Sequence, residues 1–286
     1  MILPFLLLVQ AGTAQAAAHD VTVTARRPDH DRAVQHMTAT IAPLGDASQP
    51  LPRFAAPICP EAAGLPPAIA VRFAGRMRQG ARAAGLRVDE VGCAPNITVV
   101  FVPNGQSVVR ALKRSNPAMF GGLEPYQVRR LAADSGPVHA WSFTEVMSRD
   151  DDRPRVGTST GLQAPELQVR SASILSSPIR IVVDGAVLLI DQGAAEGKTI
   201  TQLADYATMR LLASARPVGD AASEPTILRL FDRAGTPAAG LTPFDTTYLR
   251  ALYRGEPTDF ATTRISTMAR QINRDLARAV AGTPAP

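Results

Sequence analysis

A helix whose start and stop are both spelled out leaves a chain little freedom, and residues 243–254 form such a helix. Thr242 can cap the first turn with its hydroxyl. Pro243 suits the first helical position, where its missing N–H has no partner anyway, and Asp245 stands three residues after the cap. Phe244, Tyr248 and Leu252 recur every fourth residue beside Leu249, so one face is apolar. Gly255 is expected to take the left-handed position that closes a helix, and Pro257 cannot continue one. Upstream, residues 198–213 put Ile200, Leu203, Ala204, Ala207 and Leu211 on one side and Gln202, Asp205 and Arg210 elsewhere, and this helix ends before Pro217. The stretch 197–255 is the frame of the chain and carries no recognisable reaction chemistry.

Just before it, Ile179–Ile190 is two β-branched and leucine-rich runs around Asp184-Gly185, which reads as a β-hairpin with a type I′ turn. A strand pair, a buried helix, a loop and a Leu241-Thr-Pro-Phe-Asp245 helix ending Leu249-Arg-Ala-Leu-Tyr253 resembles the C-terminal half of exported zincin-type (metzincin-like) domains over about residues 179–254. It is similar above all to exported bacterial proteins whose last segments read Leu-Thr-x-x-Asp and Leu-Arg-x-Leu-Tyr. In zincins the helix after the sheet carries His-Glu-x-x-His, two zinc-binding imidazoles one turn apart with the glutamate as general base. Here Gln202-Leu-Ala-Asp-Tyr206 stands at those positions, with neither ligand nor base. The resemblance therefore implies a degenerate zincin-like arrangement without the family's chemistry.

Residues 1–16 have an apolar stretch from Ile2 to Val9, no acidic residue and the small-x-small site Ala14-Gln15-Ala16. That is the pattern of a signal peptide, and the apolar run falls short of the roughly 20 residues that span a bilayer. Export to the periplasm or beyond is expected. The remaining chain is long enough to bury a core without metals or many disulfides. Its formal charge of +5 is carried almost wholly by arginine, since only Lys113 and Lys198 are lysines. A basic balance permits an anionic surface as partner without selecting one, and an envelope protein is the other expected partner. Nothing marks a specific nucleic-acid site.

Residues 17–52 read as a short strand, Val21–Ala25, followed by an irregular arm; His30 and His36 lie six apart, which is not a helical ligand pair. From Pro66 to Gly85 an amphipathic helix has Ile69, Phe73, Met77, Ala81 and Ala84 on its core face and Arg72, Arg76, Arg78 and Arg82 on its flanks. Cys59 and Cys93 flank this helix, and an even count in an exported chain reads as a disulfide. Asn96–Val102 is a strand apolar on both faces. Short helices follow at 106–114 and 124–133, separated by the hinge Phe120-Gly-Gly-Leu123, which lacks the ending of a phosphate loop.

Val138–Val146 alternates cleanly. Val138, Ala140, Ser142, Thr144 and Val146 share one face, while His139, Trp141, Phe143 and Glu145 share the other, which either lines a binding groove or packs beneath the preceding helices. Asp150, Asp151 and Asp152 lack the spaced ladder of a calcium loop, so 149–161 reads as an exposed tip, and Leu167–Ile174 returns to strand. The tail 259–281 is a long helix with Ile265, Met268, Ala269, Ile272, Leu276 and Val280 inward and Arg264, Arg270, Arg274 and Arg278 outward.

The fold class expected is α+β, a mixed sheet packed on amphipathic helices with a helical C-terminal part. The expected division is a signal peptide (1–16), the arm (17–52) and one domain (53–286), of which 53–193 is helix and strand and 194–286 mainly helical. No Gly-x-Ser-x-Gly nucleophile elbow is expected, and the cysteines serve a disulfide. No dinucleotide fingerprint or zinc ladder is present, so no cofactor and no metal are expected. The leading functional expectation is a non-catalytic binding or accessory module of the cell envelope. The rival is an envelope hydrolase with a non-standard site built from His139, Glu145, Asp205 or Tyr206, with Trp141, Phe143 and Gln202 as binding candidates.

Overall fold

The computed structural model describes residues 28–43, 46–156, 165–170, 173–174, 176–219, 222–233 and 236–281. The signal-peptide reading of 1–16 and the strand reading of Val21–Ala25 lie outside them. In chain order the elements are α1 (Pro28–Ile41), β1 (Arg53–Phe54), β2 (Pro60–Ala63), α2 (Pro67–Ala83), β3 (Ile97–Val102), α3 (Gly105–Ser115), α4 (Pro125–Ala133) and β4 (Val138–Ser148). Then come β5 (Arg155–Val156), β6 (Pro165–Glu166), β7 (Ile179–Asp191), α5 (Gln192–Ala195), α6 (Ile200–Leu212), α7 (Pro243–Arg254) and α8 (Ala261–Ala281). Single 3-10 turns occupy Pro117–Phe120 and Ile227–Arg229.

The main sheet is mixed and has β7 at its centre. Antiparallel β4 runs along one edge of β7 for its full length. The other edge is shared in series by β1, parallel at Val182–Val183, and β3, parallel from Ala186 to Asp191. Strand β2 extends the sheet beyond β3, again parallel. The expected hairpin at Asp184-Gly185 is thus one continuous strand. Phe143 faces Gly185 and Thr144 faces Val183, so Asp184 is the extra residue of a β-bulge. A hairpin would have folded 179–183 back onto 186–190; both halves instead find partners on neighbouring strands, which no local signal announces.

Two cores lie on the two faces of this sheet. On one, Val99, Phe101, Leu188 and Ile190 meet Phe73 and Met77 of α2, Leu203 and Leu211 of α6, and Tyr248 of α7. On the other, Trp141 and Leu189 pack with Val109, Phe120 and Ala132 beneath α3 and α4. Helix α6 is buried on nearly every side from Leu203 to Leu212, as a central helix must be. Cys59 and Cys93 form a disulfide with Cα atoms 6.1 Å apart, tying the entry of α2 to the loop behind it.

Four further expectations are corrected. The irregular arm contains helix α1, whose Val34, Met37 and Ile41 recur at helical spacing and join the core with Met268 and Ile272 of α8. Among the described residues of 167–174 there is no strand; only Pro165–Glu166 pairs, with Arg155–Val156. Arg264 is not on an outer face but buried. Its guanidinium donates to Ala251 O, while Arg53 Nη1 donates to Leu252 O (3.0 Å) and Gly255 O (2.7 Å). Two arginines therefore take up the unpaired carbonyls that close α7, where the helix dipole is negative. Gly255 accordingly does not adopt the left-handed conformation; its φ of −86° is ordinary, and what requires glycine is the Arg264 guanidinium pressed against its Cα.

Candidate functional site

Strand β4 has one partner among the described residues, and its outer edge is unpaired. Asp191 N–H donates to Pro137 O (2.9 Å), and Val138 stands opposite Ile190. In an antiparallel ladder this sends the main-chain groups of His139, Trp141 and Phe143 towards β7 and those of Val138, Ala140 and Ser142 outward. At Thr144 the edge is crossed by the Gly121-Gly122 loop. Gly122 has φ +88°, and a Cβ there would stand 2.9 Å from Thr144 N, so only glycine permits the crossing. The open edge therefore runs from Val138 to Ser142.

Two adjoining hollows follow that edge, of about 430 Å³ and 760 Å³. They share Leu123 and Gln127 from the entry and first turn of α4, Ala140 of β4, and Arg210, Arg216 and Pro217 from the end of α6 and beyond, so they form one cleft between α4, the sheet edge and α6. Ser142 Oγ and Ser214 Oγ face each other across it at 3.5 Å. Ser214 has φ +46°, an uncommon conformation for a residue with a side chain, stored where the cleft is narrow. Arg216 is occupied: its Nε and Nη2 donate to Ala42 O (2.6 Å) and Ala39 O (3.3 Å), closing α1. Arg210 donates to Ala215 O through Nη1, and its buried Nε has no hydrogen-bond partner. The walls thus offer main-chain donors and acceptors, two hydroxyls and a mixed set of charges, Arg130, Asp134 and Asp232 included.

The residues singled out from sequence are dispersed around this cleft. Asp205 is fully buried and holds Arg76 through Nε–Oδ1 (2.7 Å) and Nη2–Oδ2 (2.6 Å), and it also accepts Leu241 N–H (2.7 Å). That hydrogen-bonded carboxylate raises the Arg76 guanidinium above its ordinary value. Gln202 closes the capping box of α6, accepting Thr199 N–H (3.0 Å) while Thr199 Oγ1 accepts Gln202 N–H (3.1 Å), and its amide donates to Ala238 O (2.9 Å). Tyr206 does reach the cleft wall, edge-on to Phe231 with ring centroids 4.8 Å apart, and burial pushes its phenol up.

Of the face His139, Trp141, Phe143, Glu145, the first three pack beneath helices, one of its two readings, and Glu145 does not. Trp141 donates from Nε1 to Met119 O (2.8 Å) and meets Phe120 at 5.3 Å between centroids, and the residue also borders the cleft. Phe143 packs with the same small core. His139 is buried, with Nε2 against Asp134 O (3.1 Å) and Nδ1 against Gly105. Glu145 lies 3.2 Å from Arg153 at the far end of the strand. His139, Glu145 and Asp205 do not converge with Tyr206.

Among the described residues no group of three or more His, Cys, Asp or Glu side chains could hold a metal ion. The string Gly157-Thr-Ser-Thr-Gly161 does have the spacing of a nucleophile elbow. It lies outside the described residues, between β5 and β6. What sequence reading missed is the edge itself, with Ser142, Ser214, Arg210 and Gly122. The alternation of 138–146 marked a strand, but which edge stays open depends on pairing with β7 some forty residues on. Compared with protein-family models, curated proteins and solved structures, the chain matches none.

Proposed function

We propose that this chain is an exported, non-catalytic binding module of the cell envelope that takes an extended peptide segment along the outer edge of β4. The observation that carries the reading is the open edge at Val138–Ser142 beside a continuous cleft. An added strand would satisfy the outward groups of Val138, Ala140 and Ser142, and its side chains would alternate between the α4 wall and the α6 wall of the cleft. Export is supported by the leader pattern of 1–16 and by a disulfide suited to an oxidising compartment. The absence of catalysis is supported by the engagement of Asp205 with Arg76 and Leu241, by the burial of His139 against Asp134 O and by the pairing of Glu145 with Arg153. A degenerate zincin-like ancestry rests on the order β7, short link, buried α6, with Gln202 and Tyr206 where that family keeps imidazoles.

The test is selection from a displayed library of random unstructured peptides, followed by affinity measurement on Ala140→Pro. Proline is tolerated at an edge position whose N–H faces outward, so the fold is kept while an outward donor is lost and the approach blocked. Selected peptides are expected to bind the variant at least about tenfold more weakly. No enrichment of any peptide, or equal affinity for Ala140→Pro, would overturn the reading.

A further inference from the structure

Charge is unevenly spread over this chain. Between Gly105 and Ala133 the sequence holds Arg110, Lys113, Arg114, Arg129 and Arg130 against one carboxylate, Glu124, so four of the five net positive charges sit on this segment. Arg110, Lys113, Arg114 and Arg129 line one shallow hollow of about 440 Å³ between α3 and α4, with Ala132 and Ala133 and no carboxylate. All four are exposed. Elsewhere five surface arginines stand beside a carboxylate, Arg32 by Asp29, Arg153 by Glu145, Arg170 by Asp152, Arg229 by Asp232 and Arg278 by Asp275, while exposed arginines that are in no ion pair among the described residues, such as Arg72, Arg254 and Arg274, are spread over α2, α7 and α8. Among the described residues none of the four cations of the hollow has an ion-pair partner. Like charges gathered without counter-charge repel, so their grouping calls for an anionic partner.

The form of the hollow selects the partner. A single small phosphate is held in an enclosed cradle of converging donors, whereas here the cations spread over an open face on two helices, and Arg110 spends its Nε on Ala132 O (3.0 Å). Tyr126, 52% exposed, stands one turn before Arg129 and Arg130 on the same helix. An amphipathic ring beside guanidinium groups suits the headgroup level of a bilayer, where phosphates form a planar array. No helix of the described residues is long and apolar enough to cross a membrane, so attachment would be to the surface. The geometry points to the α3–α4 face as a docking surface for an anionic phospholipid membrane. Arg129 lines this hollow while its neighbour Arg130 lines the β4 cleft, so one helix separates the two surfaces, and a docked protein would hold the peptide cleft beside the bilayer.

The experiment is co-sedimentation of the full chain with vesicles of phosphatidylcholine containing phosphatidylglycerol, and with vesicles of phosphatidylcholine alone. The expected result is binding only to the anionic vesicles, weakened by salt beyond about 0.3 M and unaffected by millimolar inorganic phosphate. The triple variant Lys113→Glu, Arg114→Glu, Arg129→Glu is expected to partition at least about a hundredfold more weakly. A control with the same charge change on exposed positions elsewhere, Arg72→Glu, Arg254→Glu, Arg274→Glu, is expected to lose far less. Equal loss in both triple variants, no preference for anionic vesicles, competition by free phosphate, or tighter binding to a short oligonucleotide than to vesicles would each overturn the assignment. The patch variant keeps its β4 cleft, so retained peptide binding separates failure here from failure of the peptide-binding reading.

Discussion

Arg76 of α2 and Asp205 of α6 meet through two parallel hydrogen bonds, with the carboxylate fully buried and the guanidinium partly open to solvent. This pair locks the two helices together, and Asp205 also fixes the approach to α7 through Leu241 N–H. Removing Arg76 would leave a buried charge without its counter-ion, so Arg76→Ala is expected to cost about 3–5 kcal/mol in urea unfolding. Asp205→Ala is expected to cost a similar amount, and the double variant clearly less than the sum of the two. Additive losses would show that the pair is not coupled.

The same pair shows what a sequence does and does not disclose. Helix α6 was legible because its apolar positions are local, and α7 because its apolar face and its Thr242 cap are. That Asp205 would be consumed by an arginine 129 residues away was not, because nothing near either residue encodes the meeting. The hairpin expected at Asp184-Gly185 failed on the same ground. An Asp-Gly pair between β-rich runs favours a turn locally, and the parallel ladders to β1 and β3 override it. Arg264 looked like surface because arginine usually is; its burial depends on the carbonyls at the end of α7. Of the candidate site, the sequence offered Trp141 and Tyr206, which border the cleft, but not the open edge that defines it.

Gly255→Ala tests the arginine closure of α7. A Cβ at this position would overlap the Arg264 guanidinium, which is buried and held by Ala251 O, so the arginine must leave or the chain must shift. A loss of about 2 kcal/mol or more is expected, an effect that the unremarkable φ of Gly255 would not produce by itself. Arg254→Ala, one residue earlier and exposed, is expected to stay within about 0.5 kcal/mol of the parent. Equal melting temperatures for the two variants would contradict the arrangement.

Asp245 gives a dependence on pH. Burial pushes its carboxyl above the ordinary 3.8, although Thr226 Oγ1 (2.6 Å), Ile227 N–H (2.8 Å) and Thr242 N–H (3.0 Å) all donate to it and oppose the rise. The folded chain therefore holds this proton more tightly than the unfolded one. The contribution to stability is fully present below 3.8 and is lost as pH rises through the folded value. Asp245→Asn removes the titration and leaves other groups unchanged. The stability of the parent relative to this variant is expected to grow as pH is lowered from about 6 towards about 4 in parallel urea titrations. A difference that is flat or shrinks on acidification would contradict the direction.

The open edge of β4 is tested most directly by residue-resolved amide hydrogen exchange on the unliganded protein. The register with β7 sends the N–H groups of His139, Trp141 and Phe143 into the sheet and those of Ala140 and Ser142 outward. The expected result is alternation along the strand, with Ala140 and Ser142 exchanging at least about a hundredfold faster than Trp141 and Phe143. A selected peptide should then slow those two amides and leave their neighbours unchanged. Uniform protection from His139 to Phe143 in the free protein would mean that the edge is already covered, and the proposed peptide site would not exist.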